Sequence, residues 1–273
     1  MSTPVLSGDA FPSGVITLTS DFGLSDPFVG VMKGRILTRY RDARIVDLTH
    51  EISAYWPAEA GFWLTRSYGY FPRGSVHVAV VDPGVGTQRA IVCVEADGHV
   101  FLAPDNGLLA PLVSGAREAK VHRLDLNRLG HLRLGVPSAT FHGRDIFAPV
   151  AAELAAGKVR PSNLGDEVAD LVPAWVDEPL VSSDKVAGVV ITIDHFGNLI
   201  TNIDVSLVRE FRRPVVRAGV HEFPLRRTYG DRQPGEYLAL INSFDVIEIA
   251  RAEQSATDGL GLGRGTPVTV VEG

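Results

Sequence analysis

Val15-Ile16-Thr17-Leu18-Thr19-Ser20-Asp21-Phe22-Gly23 and Val78-Ala79-Val80-Val81-Asp82-Pro83-Gly84-Val85-Gly86 read alike. Each is a short apolar, β-branched run that ends on an aspartate and a glycine turn. Such runs suit strands covered on both faces, as in a parallel sheet. Ligands of open parallel sheets collect at the carboxyl ends of the strands, which is where Asp21 and Asp82 fall. The run Val189-Val190-Ile191-Thr192-Ile193, followed by Asp194-His195-Phe196-Gly197-Asn198, repeats the pattern much later. A site drawing on two domains is therefore expected.

Working outward, Asp26 is placed to cap a helix whose first residue is Pro27, and Phe28, Val31, Met32, Ile36 and Leu37 follow at helical spacing. Residues 44–47 and 76–81 read as strands, 58–67 and 144–156 as helices, and 91–95 with 100–103 as a hairpin about Asp97-Gly98. Residues 13–160 are thus predicted to form an α/β domain with a mainly parallel sheet covered on both faces. Residues 161–183, with Pro161, Pro173 and Pro179, read as a linker. Residues 184–273 show short strands at 186–193, 215–218, 238–241, 246–250 and 268–271, with one helical stretch at 204–211. That pattern predicts a smaller, all-β, barrel-like domain.

Composition narrows the function. The 273 residues are 45% hydrophobic and carry a formal charge of −6 without a Lys/Arg block, which argues against a nucleic-acid surface. Cys93 is the single cysteine, so neither an internal disulfide nor a zinc ribbon is available. No run of about twenty apolar residues exists, and the N-terminus lacks a basic region followed by an apolar stretch. A soluble, cytoplasmic protein without membrane attachment is expected.

Asp82 and Arg89 bracket a glycine turn, either as an ion pair bracing it or as part of a site. The turn is no dinucleotide or Walker loop, lacking the third glycine and the Lys-Ser/Thr ending. His142 lies at a loop-to-helix junction beside Gly143. An Asp, an Arg and a His around a small cavity can hold and orient water, with the histidine relaying a proton. Asp21 suits a pair of ribose hydroxyls, or else a turn. Asn198 suits an adenine edge, or else its own turn. Phe22, Tyr55, Trp56, Phe141 and Phe196 lie beside these groups and suit a base or a cation. The scattered histidines argue against a metal site.

Six motifs in order resemble one family: Thr19-Ser20-Asp21-Phe22-Gly23, Asp82-Pro83-Gly84-Val85-Gly86 with Arg89, Ala103-Pro104-Asp105-Asn106-Gly107-Leu108-Leu109, Thr140-Phe141-His142-Gly143-Arg144-Asp145, Asp194-His195-Phe196-Gly197-Asn198 and Asn242-Ser243. They are similar to the S-adenosyl-L-methionine (SAM) hydrolases that form adenosine, the SAM hydroxide adenosyltransferases, which are relatives of fluorinase and chlorinase. The resemblance implies hydrolysis of SAM to adenosine and methionine, with SAM as substrate and no cofactor or metal. It also implies a homotrimer with each site shared between neighbouring subunits. Asp82, Arg89 and His142 match the water-handling set, Asp21 the ribose aspartate and Asn198 the adenine-reading asparagine. Asp194 and Ser243 match residues at the methionine end, and Tyr55 falls near an aromatic wall. Phe244 stands where fluorinase has an arginine, and Gly143 where it has a serine. The tight hairpin after Arg89 lacks the fluorinase insertion. Asp82, where the halogenases carry a tyrosine or another residue, together with Gly143 and the missing insertion, favours hydroxide over halide, whereas Phe244 bears on how the methionine carboxylate is held. A halide-using transferase and a non-catalytic SAM- or adenosine-binding regulator are the alternatives.

Overall fold

The structure, a computed structural model, describes residues 12–273. The reading of the extreme N-terminus concerns residues that lie mostly outside that range. The chain divides into two compact units, the second spanning Val176–Gly273.

The first unit holds β1 (Val15–Ser20), α1 (Phe28–Arg39), β2 (Arg44–Thr49), α2 (Pro57–Ser67), β3 (Val76–Val80), β4 (Ile91–Ala96), β5 (His99–Pro104), α3 (Ala110–Gly115), β6 (Ala119–Leu124), α4 (Ala148–Ala155) and β7 (Gly165–Val168). Its sheet runs β2-β1-β3-β5-β4-β6-β7. The pairings along β2-β1-β3-β5 are parallel and the other three antiparallel, so only β4 and β7 run against the rest. Period-two alternation splits β3 between two cores. Val76, Val78 and Val80 pack with Met32 and Ile36 of α1 and the alanine-rich α4. Ala79 and Val81 pack on the other face with Ala60 and Leu64 of α2. Burying either row withdraws several apolar side chains from water, each worth about 1.5–3 kcal/mol. Cys93 is fully buried, and burial pushes its thiol well above the usual range.

Local chemistry departs from the sequence reading in several places. Pro27 occupies the N-cap of α1, and no side chain bonds there, so Asp26 is not the cap. The helix expected over 144–156 opens with a wide π turn, Gly143–Phe147, before α4. Residues 161–183 are more than a linker: β7 joins the sheet edge beside β6, and the division between units follows Trp175. The Asp97-Gly98 hairpin forms with both residues at positive φ, +49° and +82°, as a type I′ turn requires.

The second unit holds β8 (Leu180–Val181), β9 (Lys185–Ile193), β10 (Leu199–Asp204), β11 (Pro214–Ala218), β12 (His221–Arg226), β13 (Tyr237–Ile241), β14 (Val246–Arg251), α5 (Ala256–Leu260) and β15 (Pro267–Glu272). The order β10-β14-β13-β12-β11-β15-β9, closed by β9–β10 pairing, makes a seven-stranded barrel. Only β12–β13 pair in parallel. Val186, Val190, Val216, Phe223, Ile247 and Val270 fill the interior. The helix expected at 204–211 is a single turn, Val205–Leu207, which Asp204 caps at its N-terminus by accepting the Ser206 N–H. Among the described residues no helix is long and apolar enough to cross a membrane.

Candidate active site

The carboxyl ends of β1 and β3 open onto a pocket of about 290 Å³ in the first unit. Asp82 follows β3 and meets Arg89 across the glycine turn. Arg89 Nε donates to Asp82 Oδ1 and Oδ2 at 3.1 and 2.9 Å, and its Nη2 donates to Oδ2 at 2.5 Å. The two side chains are only 4% and 11% exposed, so breaking the pair from one side would cost about 3–5 kcal/mol. Arg89 also rests over the Phe147 ring, 5.9 Å from its centroid.

The same Nη2 lies 2.7 Å from His142 Nδ1. A guanidinium cannot accept a hydrogen bond, so Nδ1 carries the lone pair and a neutral His142 holds its proton on Nε2. Burial and the Arg89 charge lower the His142 pKa, against smaller opposing effects of Asp82, Asp145 and the Ser138 backbone. His142 is therefore neutral at pH 7.

The loop that carries His142 is tied on itself. Asp145 Oδ2 accepts the Ser138 N–H at 2.9 Å, Ser138 Oγ accepts the Phe141 N–H at 3.1 Å, and Arg144 lies over the Phe141 ring. The Arg144 partner holds the Asp145 carboxyl below the usual carboxylate range. Gly86 locks this loop to the Asp82 turn. It sits at φ +77°, and a Cβ there would stand 2.1 Å from the Ala139 carbonyl oxygen.

The pocket wall is aromatic. Phe22, Phe28 and Phe141 meet edge to face, with centroids 5.3–6.1 Å apart. Asp21 lines the same pocket, and its Oδ2 accepts the Tyr55 N–H at 3.0 Å. That bond holds Tyr55 at φ +63°, in the left-handed region, with the side chain 72% exposed. Phe28 was legible only as an apolar residue of a helix. The signal was the width of the α1 stripe, since Val29, Met32 and Ile36 are buried while Phe28, Val31 and Leu37 stay exposed.

In the second unit Asp194 organises its own turn. Its Oδ1 accepts the N–H groups of Phe196 and Asn198, and its Oδ2 accepts the Asn198 amide at 3.0 Å. Asn198 is buried with one face of its side chain committed to Asp194, while Phe196 is exposed. Gly197, at φ +83°, brings its backbone against α5, whose Ala256 and Thr257 N–H groups bond its carbonyl. Ser243 is exposed, in a turn where Asn242 Oδ1 accepts the N–H groups of Phe244 and Val246. Beneath lies the buried Glu248, bonded to the Tyr229 hydroxyl at 2.7 Å. Burial raises the Glu248 pKa, the Tyr229 and Asn242 bonds oppose this, and the Asp194 charge adds to the rise. Asp82, His142, Asp21, Phe22, Tyr55 and Phe141 thus line one pocket, with Arg89 behind it bonded to Asp82 and His142, while Asp194, Phe196, Asn198 and Ser243 belong to the barrel unit. Among the described residues no group of three or more His, Cys, Asp or Glu side chains is placed to hold a metal ion.

The succession of an α/β unit and a β-barrel unit coincides with the two domains of one family. The chain belongs to the SAM hydroxide adenosyltransferases: residues 16–165 match the family's N-terminal domain and residues 188–269 its C-terminal domain. An (R)-S-adenosyl-L-methionine hydrolase of Thermus thermophilus is 39% identical, over 92% of this chain and 97% of the relative. One of Methanocaldococcus jannaschii is also 39% identical, over 89% and 90%. A fluorinase of Actinopolyspora mzabensis is more distant, at 25% over 96% and 98%. A solved structure of a conserved Thermotoga maritima protein superposes with a TM-score of 0.85 at 34% identity, over 94% of this chain and 99% of that one.

Proposed function

We propose that this chain hydrolyses SAM to adenosine and L-methionine, with water attacking C5′ of the ribose. The observation that carries the reading is the contiguous Asp82–Arg89–His142 array, two members of which line the pocket that Asp21 and the phenylalanines complete. The O–C5′ bond forms as the C5′–S bond breaks, and the sulfonium leaves as a neutral thioether with both bonding electrons. No acid is needed for that departure, so the protein's task is to align one water, strip its solvent and accept its proton. Orientation alone can contribute about 7 kcal/mol or more.

The hydrogen bonds apportion that task. The His142 lone pair is engaged by Arg89, so His142 fixes Arg89, and Arg89 fixes Asp82. The Asp82 carboxylate, in the pocket wall, is then the group that accepts the proton from water. This moves the base from His142, the sequence-based candidate, to Asp82. Asp21 holds the ribose and the aromatic wall faces the base and sulfonium. Asp194, Asn198 and Ser243 of the barrel unit receive the rest of the substrate.

Halide use is disfavoured by the Asp82 carboxylate and by Gly143, where any Cβ would meet Met32 Sδ and the Phe141 ring at 3.1 Å. We further propose a cytoplasmic homotrimer that needs no metal, each site shared between subunits. The exposed apolar side chains of Val31 and Leu37 on α1 support burial against a partner. Mixing Asp21→Ala and Asn198→Ala subunits should then restore some activity, and full activity in a monomer would exclude a shared site. The decisive experiment is turnover of SAM in ¹⁸O-water, with and without chloride and with a chelator. Adenosine labelled at the 5′ oxygen in every case is expected. A chlorinated nucleoside, a chelator-sensitive rate, or binding without product would each overturn its part of the proposal.

A further inference from the structure

His50, the residue after β2, is buried at 4% exposure and bonds to both sides of Asp21. Its Nδ1 lies 2.7 Å from the Oγ of Ser20, and its carbonyl accepts the Gly23 N–H at 2.8 Å. The Phe22 N–H reaches Ser20 Oγ at 3.3 Å, so the serine can accept from Phe22 and pass its own proton to Nδ1. His50 then presents Nε2–H toward Asp47, whose Oδ1 is 3.1 Å away and off the line of the N–H, an electrostatic pairing more than a straight bond. Lys33 holds the other Asp47 oxygen at 2.6 Å.

The order serine–histidine–aspartate resembles a nucleophilic triad, but Ser20 is 2% exposed and does not line the pocket. What the pair does touch is the backbone on either side of Asp21, which in turn holds the positive-φ Tyr55. We infer that His50, through Ser20, is a positioning residue that sets the Asp21 carboxylate and the Tyr55 loop for the nucleoside. The inference rests on Asp21 holding the ribose.

The test uses the full chain with Ser20→Ala, His50→Ala, His50→Asn and Asp21→Ala, alone and combined. Calorimetry with adenosine should show about tenfold weaker binding for Ser20→Ala and His50→Ala, with kcat at saturating SAM within about threefold of wild type. His50→Asn, whose amide can occupy the Nδ1 position, should recover most of the loss. On the Asp21→Ala background, His50→Ala should add less than about twofold, because both act through one carboxylate. Amide exchange at Tyr55, read without any ligand, should accelerate about tenfold in His50→Ala and return most of the way to wild type in His50→Asn. Additive losses in the double variant, or unchanged Tyr55 exchange, overturn the inference. Unchanged adenosine affinity in Asp21→Ala instead defeats the ribose assignment, and Tyr55 exchange alone then decides the role of His50.

Discussion

Two turns in this molecule begin with the same signal, an aspartate at a strand end before a glycine. The Asp82 turn points its carboxylate outward from its own backbone to a guanidinium 2.5 Å away and a pocket beyond. The Asp194 turn spends its carboxylate on three bonds from its own Phe196 and Asn198. The difference lies seven residues on, in Arg89. A carboxylate held from one side by a buried cation keeps its other side for the pocket, whereas one that gathers N–H groups from its own turn first of all shapes that turn.

The largest break in that comparison is Asp82→Ala. It should lower kcat by about 10³ with SAM affinity changed little, the mark of an interaction made in the transition state; single-turnover kinetics with calorimetry reads both. Next, His142→Ala should cost about 10² in kcat while His142→Asn, offering Arg89 an acceptor at the same place, stays within about tenfold of wild type. Equal losses in the two would restore His142 as the proton acceptor. On the barrel side, Asp194→Ala should leave kcat nearly intact, raise KM about tenfold and lower stability by about 1–2 kcal/mol, since three turn bonds disappear; denaturant melts and saturation kinetics check it. The smallest effect concerns pH. Protonated His142 cannot accept from Arg89, and its pKa is lowered from the ordinary value of about 6.5. Activity should therefore be lost as pH falls, with less than about a twofold loss at pH 6.5 and more below it. Asp194→Ala should leave that acid limb in place, and His142→Asn should remove it.

Much of this was legible in the chain because period and punctuation agreed. Apolar runs marked β1 and β3, and Asp97-Gly98 marked the hairpin, so the parallel core of the first unit followed. Strands β10 and β12 escaped, since Asn202 and Asp204 interrupt one and His221, Glu222 and Pro224 the other, and only barrel closure makes them strands. Asp82, Arg89 and His142 were found as chemical types beside glycine turns. The direction of the Arg89–His142 bond was not, because it depends on which nitrogen meets the guanidinium in space. His50 went unnoticed for a similar reason. Its partner Ser20 is thirty residues away, and only the adjacency of β1 and β2 brings them together.

The contact between Gly86 and the Ala139 carbonyl has a consequence for anyone wishing to move this chemistry to another scaffold. Residues 82–89 and 138–145 behave as one casting with a shared seam, and a graft that carries either segment alone would arrive without the surface that shapes it. The transplantable unit is the pair, together with the glycine that lets them touch.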